Sequence, residues 1–507
     1  MTELDPAQQE VIDIVMAGRS VFFTGSAGTG KTFLLNSILK ALKNKYGSQF
    51  NELVAVTAMT GIAATHIEGT TLNSALGMGA PSKYKDFRSM HRKDARERTR
   101  AWKVLVVDEC SMMSAEMFEM IEHMLREVRR NGRPGGGLQL IVCGDFFQLP
   151  PVCKYNVKLK PAVDVFTNFG YAFQAPAWRN CFKQDDHITL TRIFRQSEEC
   201  FATTLNRIRT GDRAEEAMAE LVRECSRPVT CAEGIKPTQV FPRNADVDRI
   251  NFAELAALPG TAVTSNGKDD VVVGVMNQDS QTDATTRLKK SDFFRDCMAG
   301  AQVALKEGAQ VMLLKNLDPQ SGLVNGSRGV VVRFVHKLDA LYSLRSSLTP
   351  AQLSDASQAA AKWAGDLVPV VRFVSGREVE ILPAVFRHEV NGVGECRRLQ
   401  LPLKLAWTIT IHKSQGLTLD AVQVSLSGIF APGQAYVALS RARSKEGLEI
   451  VGWDGKVVKV DAAVSAFYEK TVVVQQDVWT AFCAWRWSKD EMTAREMLMQ
   501  ESQEFRQ

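Results

Sequence analysis

The sequence predicts an α/β protein of two lobes, the second interrupted by a small β domain. Three observations predict it. The 507 residues exceed what one hydrophobic core supports, so two to four domains are expected. Short apolar strands recur at 20–24, 53–57, 104–107 and 138–143, separated by segments of helical spacing, the alternation of a parallel sheet covered by helices. Two β-rich runs, 369–374 and 377–382, meet at Ser375-Gly376 and read as a hairpin.

Taken in order, Val11, Ile14 and Val15 fall at helical spacing before Gly18 breaks the pattern. The first lobe is expected over 1–171. The second begins at 172, pauses at 315, resumes at 401 and ends near 455, with the β domain at 316–400 and a helical C-terminal extension at 456–507. Residues 337–366 are polar and alanine-rich, with helical potential and no apparent core face, and read as a surface insertion. Trp479, Trp485 and Trp487 near the C-terminus are expected to pack between helices.

Composition narrows the class. Hydrophobic residues at 45% and charged residues at 23% are ordinary globular values, and no apolar run approaches a membrane span. Met1 to Pro6 is acidic and short, unlike a signal peptide, and the ten cysteines include no Cys-x-x-Cys pair. An intracellular protein with reduced thiols is expected. A net charge of +5 is compatible with a polyanionic partner without establishing one.

Gly25-Ser26-Ala27-Gly28-Thr29-Gly30-Lys31-Thr32 fits G-x-x-x-x-G-K-[ST] between a strand and the helix opening at Phe33, the context this phosphate-binding loop requires. Glycines let backbone amides converge on phosphate oxygens and the helix N-terminus adds positive potential. Lys31 would reach the terminal phosphates of ATP and the Thr32 hydroxyl would ligate magnesium. The strand at 104–107 runs into Asp108-Glu109, at the strand end where ligands bind in open α/β sheets. Asp108 would hold magnesium and Glu109 would polarise the attacking water; Gln148, in the loop after the next strand, would sense the γ-phosphate.

The phosphate loop, Val107-Asp-Glu-Cys-Ser-Met-Met113, Cys143-Gly-Asp-Phe-Phe-Gln-Leu-Pro-Pro-Val152, Ile411-His-Lys-Ser-Gln-Gly-Leu-Thr418 and Tyr436-Val-Ala-Leu-Ser-Arg-Ala442 together resemble the PIF (petite integration frequency) helicases, relatives of the RecD-like enzymes. The match runs from about residue 4 to 453. It implies a superfamily-one helicase with two RecA-like P-loop lobes, a small wedge inserted near 78–103 and an SH3-like β domain, moving 5′-to-3′ on single-stranded DNA. Seven Lys or Arg against two acids between Arg88 and Lys103 fall close to the wedge position.

Position by position, Gln8 resembles the adenine-reading glutamine, and Arg195 and Arg441 the arginine fingers. With the loop, Phe33 and Gly416 these complete the nucleotide set. Cations from the opposite lobe suit charge developing on the γ-phosphate. Thr57, Thr60, Gly61 and Asn73, with His412, Lys413, Ser414 and Gln415, match the strand-binding segments; the family has histidine where Asn73 stands. Small hydroxyls and amides suit a grip on phosphates that ignores base identity. The implied partners are single-stranded DNA and single-strand/duplex junctions, in nucleus or mitochondrion for a eukaryotic source and cytoplasm for a bacterial one. Four-stranded G-rich DNA and a DNA-induced dimer stay open. So do a DNA-stimulated translocase that strips proteins without robust unwinding, and a nucleotide-gated DNA-binding switch.

Overall fold

A computed structural model describes residues 4–469 except 80, 153–165, 195–198, 230–234, 275–277, 292, 319–322, 324, 346–347, 391–392 and 456–457. Its strands form a mixed α/β architecture with parallel sheets at its core. In the first lobe, β1 (Val21–Gly25), β2 (Val54–Ala58), β3 (Thr70–Thr71), β4 (Val104–Asp108), β5 (Gln139–Cys143) and β6 (His187–Leu190) make one sheet in the order β3-β2-β4-β5-β1-β6. Every pairing in it is parallel. The residues of β1, β4 and β5 are all buried, because helices cover both faces and leave no polar side. One apolar cluster lies on each face: Val11, Ile38 and Val106 belong to one, Phe22, Trp102 and Met124 to the other.

The first lobe reaches past the expected boundary at 171. Strand β6 pairs with β1, and Trp178 and Phe182 pack into the first-lobe core. The sequence pattern could not show this, since β6 alternates too weakly to announce its partner. A second parallel sheet joins Thr238–Phe241, Thr408–Thr410, Val422–Ser425 and Leu448–Val451. Its first two adjacent strands are separated in sequence by the β part of the chain.

That β part is wider than 316–400. Gln310–Leu313 pairs with Leu403–Leu405, and Lys268–Val273 with Gly394–Gln400, so its antiparallel pairings draw on residues well outside the expected limits. The hairpin is present: Leu367–Phe373 pairs with Glu378–Glu380, and Gly376 turns at φ +82°. Residues 337–366 are helical, at Lys337–Leu344 and Pro350–Lys362, but the expectation that they lack a core face is corrected. Ala340, Ala359 and Trp363 are buried in the same cluster as Val331, Val371 and Phe373. Alanine makes a contact face too small to stand out as an apolar stripe, yet it brings a helix close to a sheet.

Around the expected wedge, Tyr84, Phe87, Met90 and Trp102 are buried in the first-lobe core. Arg98 and Arg100 donate to the carbonyls of Ala75 and Val128, which engages part of the basic run within the protein. The helix Ala462–Tyr468 lays Val464, Phe467 and Tyr468 on the first lobe. Trp479, Trp485 and Trp487 lie outside the described residues. Among the described residues no helix is long and apolar enough to cross a membrane.

Candidate functional site

The loop after β1 turns through Gly28 at φ +89° and Gly30 at φ +79°, a left-handed backbone that glycine adopts without steric cost. Gly30 caps the helix Lys31–Tyr46, so the positive end of that helix faces the loop. Lys31 Nζ donates to the carbonyls of Gly25 at 2.7 Å and Ser26 at 3.1 Å, and Thr29 Oγ1 donates to Ser26 O at 2.9 Å. Thr32 and Phe33 are exposed on the first turn. Gln8 is buried beside Gly30: its Nε2 has no hydrogen-bond partner and lies 3.1 Å from where a Gly30 Cβ would stand. Its Oε1 is engaged, accepting from Asp5 N at 3.2 Å in a capping box. An orphaned donor at the mouth of a phosphate loop suits an acceptor on a nucleotide base.

Strand β4 delivers the acidic pair. Asp108 is buried and accepts from the Glu109 amide at 2.8 Å, while Glu109 sits at φ +54°, a strained conformation for a residue with a Cβ. Burial raises the Asp108 carboxyl above its ordinary range. Burial, reinforced by the Asp108 charge, pushes Glu109 up to about 7, against the pull of Lys31 and Arg441. A carboxylate in that range takes a proton from water more readily than a free glutamate does.

Four contacts bring the second lobe onto this site. Gln415 Nε2 donates to Glu109 Oε2 at 2.9 Å and lies 3.3 Å from Gln148 Oε1. The Ala27 amide of the phosphate loop donates to the Tyr436 hydroxyl at 2.6 Å. Ala27 and Leu149 pack into the second-lobe core with Tyr436 and Val437. Gly433 approaches so closely that a Cβ there would stand 2.3 Å from Gln148 O, at a φ of +73°. Arg441 is fully buried, with hydrogen bonds to the carbonyls of Val437, Ser414 and Leu417 and to Ser440 Oγ. Phe194 N donates to Gly28 O at 2.8 Å, and Arg195 lies outside the described residues.

The expected strand-binding residues divide. Lys413 and Gly61 are exposed, and Thr60 and His412 are partly so. Burial lowers the His412 imidazole below its ordinary value. Asn73 Oδ1 is buried without a hydrogen-bond partner. Three of the set have side chains engaged within the protein. The Thr57 hydroxyl donates within the sheet to Val106 O at 2.5 Å, the Ser414 hydroxyl to Ile411 O at 2.8 Å, and both residues are buried. Gln415 faces Glu109 and Gln148, as described above. Gly416 is exposed at φ +80°, with His66 of the first lobe 3.5 Å from where its Cβ would be.

Sequence reasoning missed an ion pair across the two lobes. Arg209, on the helix Glu199–Thr210, donates through Nε at 2.9 Å and Nη2 at 2.8 Å to Asp145 after β5, both buried. Its guanidinium stacks on Phe147 at 4.6 Å, and Tyr468 covers it at 5.5 Å. The Tyr468 hydroxyl bonds Thr24 Oγ1 at 2.8 Å and accepts from Phe146 N at 3.1 Å. Asp145 stood in a recognised motif. Arg209 carried no signal, since 64 residues separate the partners.

A phosphate-loop motif and an acidic pair on one parallel α/β sheet, met by the motifs of a second, give the chain the two-lobe layout of a P-loop protein. A family model described as PIF1-like helicase matches residues 3–218, and one described as DNA helicase Pif1, 2B domain, matches 294–334. The chain is 38% identical over 471 residues to ATP-dependent DNA helicase PIF1 of Xenopus laevis, covering 92% of this chain. It spans 64% of that relative's length. The crystal structure of Pif1 helicase from Candida albicans is 36% identical at a TM-score of 0.69, covering 93% of this chain and 100% of that one. Pif1 helicase from Bacteroides in complex with ADP-AlF3 and ssDNA is 25% identical at a TM-score of 0.58, covering 94% and 99%. The chain belongs to the PIF1-like helicase family.

Proposed function

We propose that this chain is an ATP-dependent DNA helicase that moves 5′-to-3′ along single-stranded DNA and opens duplex or structured DNA in genome maintenance. The observation that carries the reading is the meeting of the two lobes on the acidic pair, through the Gln415 amide on Glu109 and Gln148. On this reading the parallel sheets are the cores of RecA-like lobes, the antiparallel part is an SH3-like domain, and the segment near 78–103 is the strand-separating wedge.

The residues present fit ATP and magnesium: a glycine-turned loop capping a helix, an orphaned Gln8 donor beside it, and a buried acid at the end of β4, one strand removed from β1 in the same sheet. Gly25 to Thr32 would hold the phosphates, Thr32 and Asp108 the metal, and Gln8 the base. Bound there, magnesium-ATP supplies the phosphoanhydride bond whose hydrolysis drives movement. Glu109 takes the proton of the attacking water, Gln148 reads the terminal phosphate, and Arg195 and Arg441 offset its growing charge. Lys413, His412, Thr60, Gly61 and Asn73 grip the strand through its backbone. The Bacteroides complex with a nucleotide analogue and ssDNA supports both ligands, and the eukaryotic relatives support a nuclear or mitochondrial place of work.

The test is twofold. ATP turnover is expected to rise on adding single-stranded DNA, and a duplex with a 5′ tail should open while one with only a 3′ tail should not. Preferential opening of the 3′-tailed duplex would overturn the polarity, and absence of DNA-stimulated turnover would overturn the enzyme.

A further inference from the structure

The second lobe places one polar side chain directly on Glu109 and Gln148 of the first. Gln415 follows the single-turn helix Ile411–Ser414, which leaves the end of the strand Thr408–Thr410 and is capped by the Thr410 hydroxyl accepting from Lys413 N at 3.2 Å. The side chain is buried, and its amide nitrogen contacts Glu109 Oε2 at 2.9 Å and Gln148 Oε1 at 3.3 Å. An amide NH2 carries two donors, and these two contacts engage both. Nothing in that amide is left for a DNA phosphate.

The segment that carries Gln415 is tied down along its length. Ser414 is buried, and the carbonyls of Ser414 and Leu417 accept from Arg441 Nη1 at 3.4 and 3.3 Å. The Gln415 backbone N–H donates to His412 O at 3.3 Å. Two residues before Gln415, Lys413 is exposed. One short, internally bonded stretch therefore has a cation facing outward at one end and a donor on Glu109 and Gln148 at the other. Glu109 needs such support, because its backbone at φ +54° holds it in a conformation that neighbouring contacts must maintain.

We propose that Gln415 is a positioning residue for ATP hydrolysis, its amide aiming Glu109 and Gln148 and linking them to the outward-facing His412-Lys413 turn. This rests on the proposed helicase function. A strand held at the turn then bears on the geometry of the base through three residues of chain, which gives DNA-stimulated turnover a physical route. It also separates Gln415 from the strand-binding set to which its motif assigns it.

The test uses the full chain and two variants, Gln415→Ala and the nearly isosteric Gln415→Glu, which preserves packing but replaces the donor with a second carboxyl. Turnover is measured with and without single-stranded DNA, with KM for ATP and strand affinity by fluorescence anisotropy. Both variants should lose roughly ten- to hundredfold in DNA-stimulated kcat, the range expected for one hydrogen bond to a charged group. ATP KM and strand affinity should stay within about twofold. The unfolding midpoint and nucleotide affinity of Gln415→Ala should stay close to those of the parent, whereas a general structural defect would lower both. Unchanged kcat in Gln415→Glu would overturn the proposal, as would weakened strand affinity with normal basal turnover. Absence of ATP turnover in the parent chain would instead overturn the helicase reading itself.

Discussion

Replacing Asp145 by alanine would leave the Arg209 guanidinium buried without its counter-charge. The carboxylate has no exposed side-chain surface, the arginine side chain is 9% exposed, and two hydrogen bonds of 2.8 and 2.9 Å join them. Arginine cannot escape by losing a proton; the facing Asp145 in fact raises its affinity for one, against the opposing effect of burial. The intact pair contributes little net stability, because desolvation offsets most of the attraction, but removing one partner of such a pair costs about 3–5 kcal/mol. For a unit of 150–250 residues, where each kcal/mol moves the midpoint by about 2–4 °C, the expected drop is roughly 6–20 °C. Calorimetry and urea unfolding of Asp145→Ala measure it. The double variant Asp145→Leu with Arg209→Met should recover most of the loss, since it removes both charges and fills the space. A single variant within about 1 kcal/mol of the parent, or a double variant no better than the single, would refute the reasoning.

The same structural logic gives further expectations. Trp363→Ala should destabilise the β part by about 3–5 kcal/mol, because the indole is buried with Val371 and Phe373; an unchanged urea midpoint would make 337–366 a surface appendage after all. Lys31→Ala is expected to weaken nucleotide binding while Glu109→Gln leaves binding largely intact and blocks turnover, and substantial hydrolysis by Glu109→Gln would remove that residue from the mechanism. Affinity for single strands should fall steadily with salt and depend weakly on sequence, as titrations at several salt concentrations would reveal; salt-independent binding would contradict a backbone grip. Tyr436→Phe should cost about 1 kcal/mol through the lost acceptor for Ala27 N, read as a small drop in unfolding midpoint, and a neutral result would mean that water replaces the hydroxyl.

Much of the first lobe was readable without coordinates. Strands β1, β2, β4 and β5 fall within a residue of the apolar runs at 20–24, 53–57, 104–107 and 138–143, since a strand buried on both faces shows as an unbroken apolar stretch. The phosphate loop and acidic pair were legible because their chemistry demands particular residue types at close spacing. The limits of the lobes were not. Strand β6 joins the first sheet from beyond residue 171, and Gln310–Leu313 finds its partner at Leu403–Leu405; pairing over such distances leaves no trace in local periodicity.

Residue roles divide along the same line. Thr57, Ser414 and Gln415 belong to motifs that resemble strand-binding segments, and a motif specifies the segment but not which way each side chain turns. Thr57 lies in a strand whose alternation sends its hydroxyl to Val106, and Ser414 sits on the inner side of a single helical turn. The sequence by itself determined the α/β class, the phosphate loop, the acidic pair and the family, since each depends on residues adjacent in the chain. Only the tertiary structure decided that Arg209 pairs with Asp145, that an alanine-rich helix closes the β core, and that Gln415 reaches Glu109. The first and last of those contacts join residues 64 and 306 positions apart, brought together by the burial of apolar surface between lobes rather than by any local propensity.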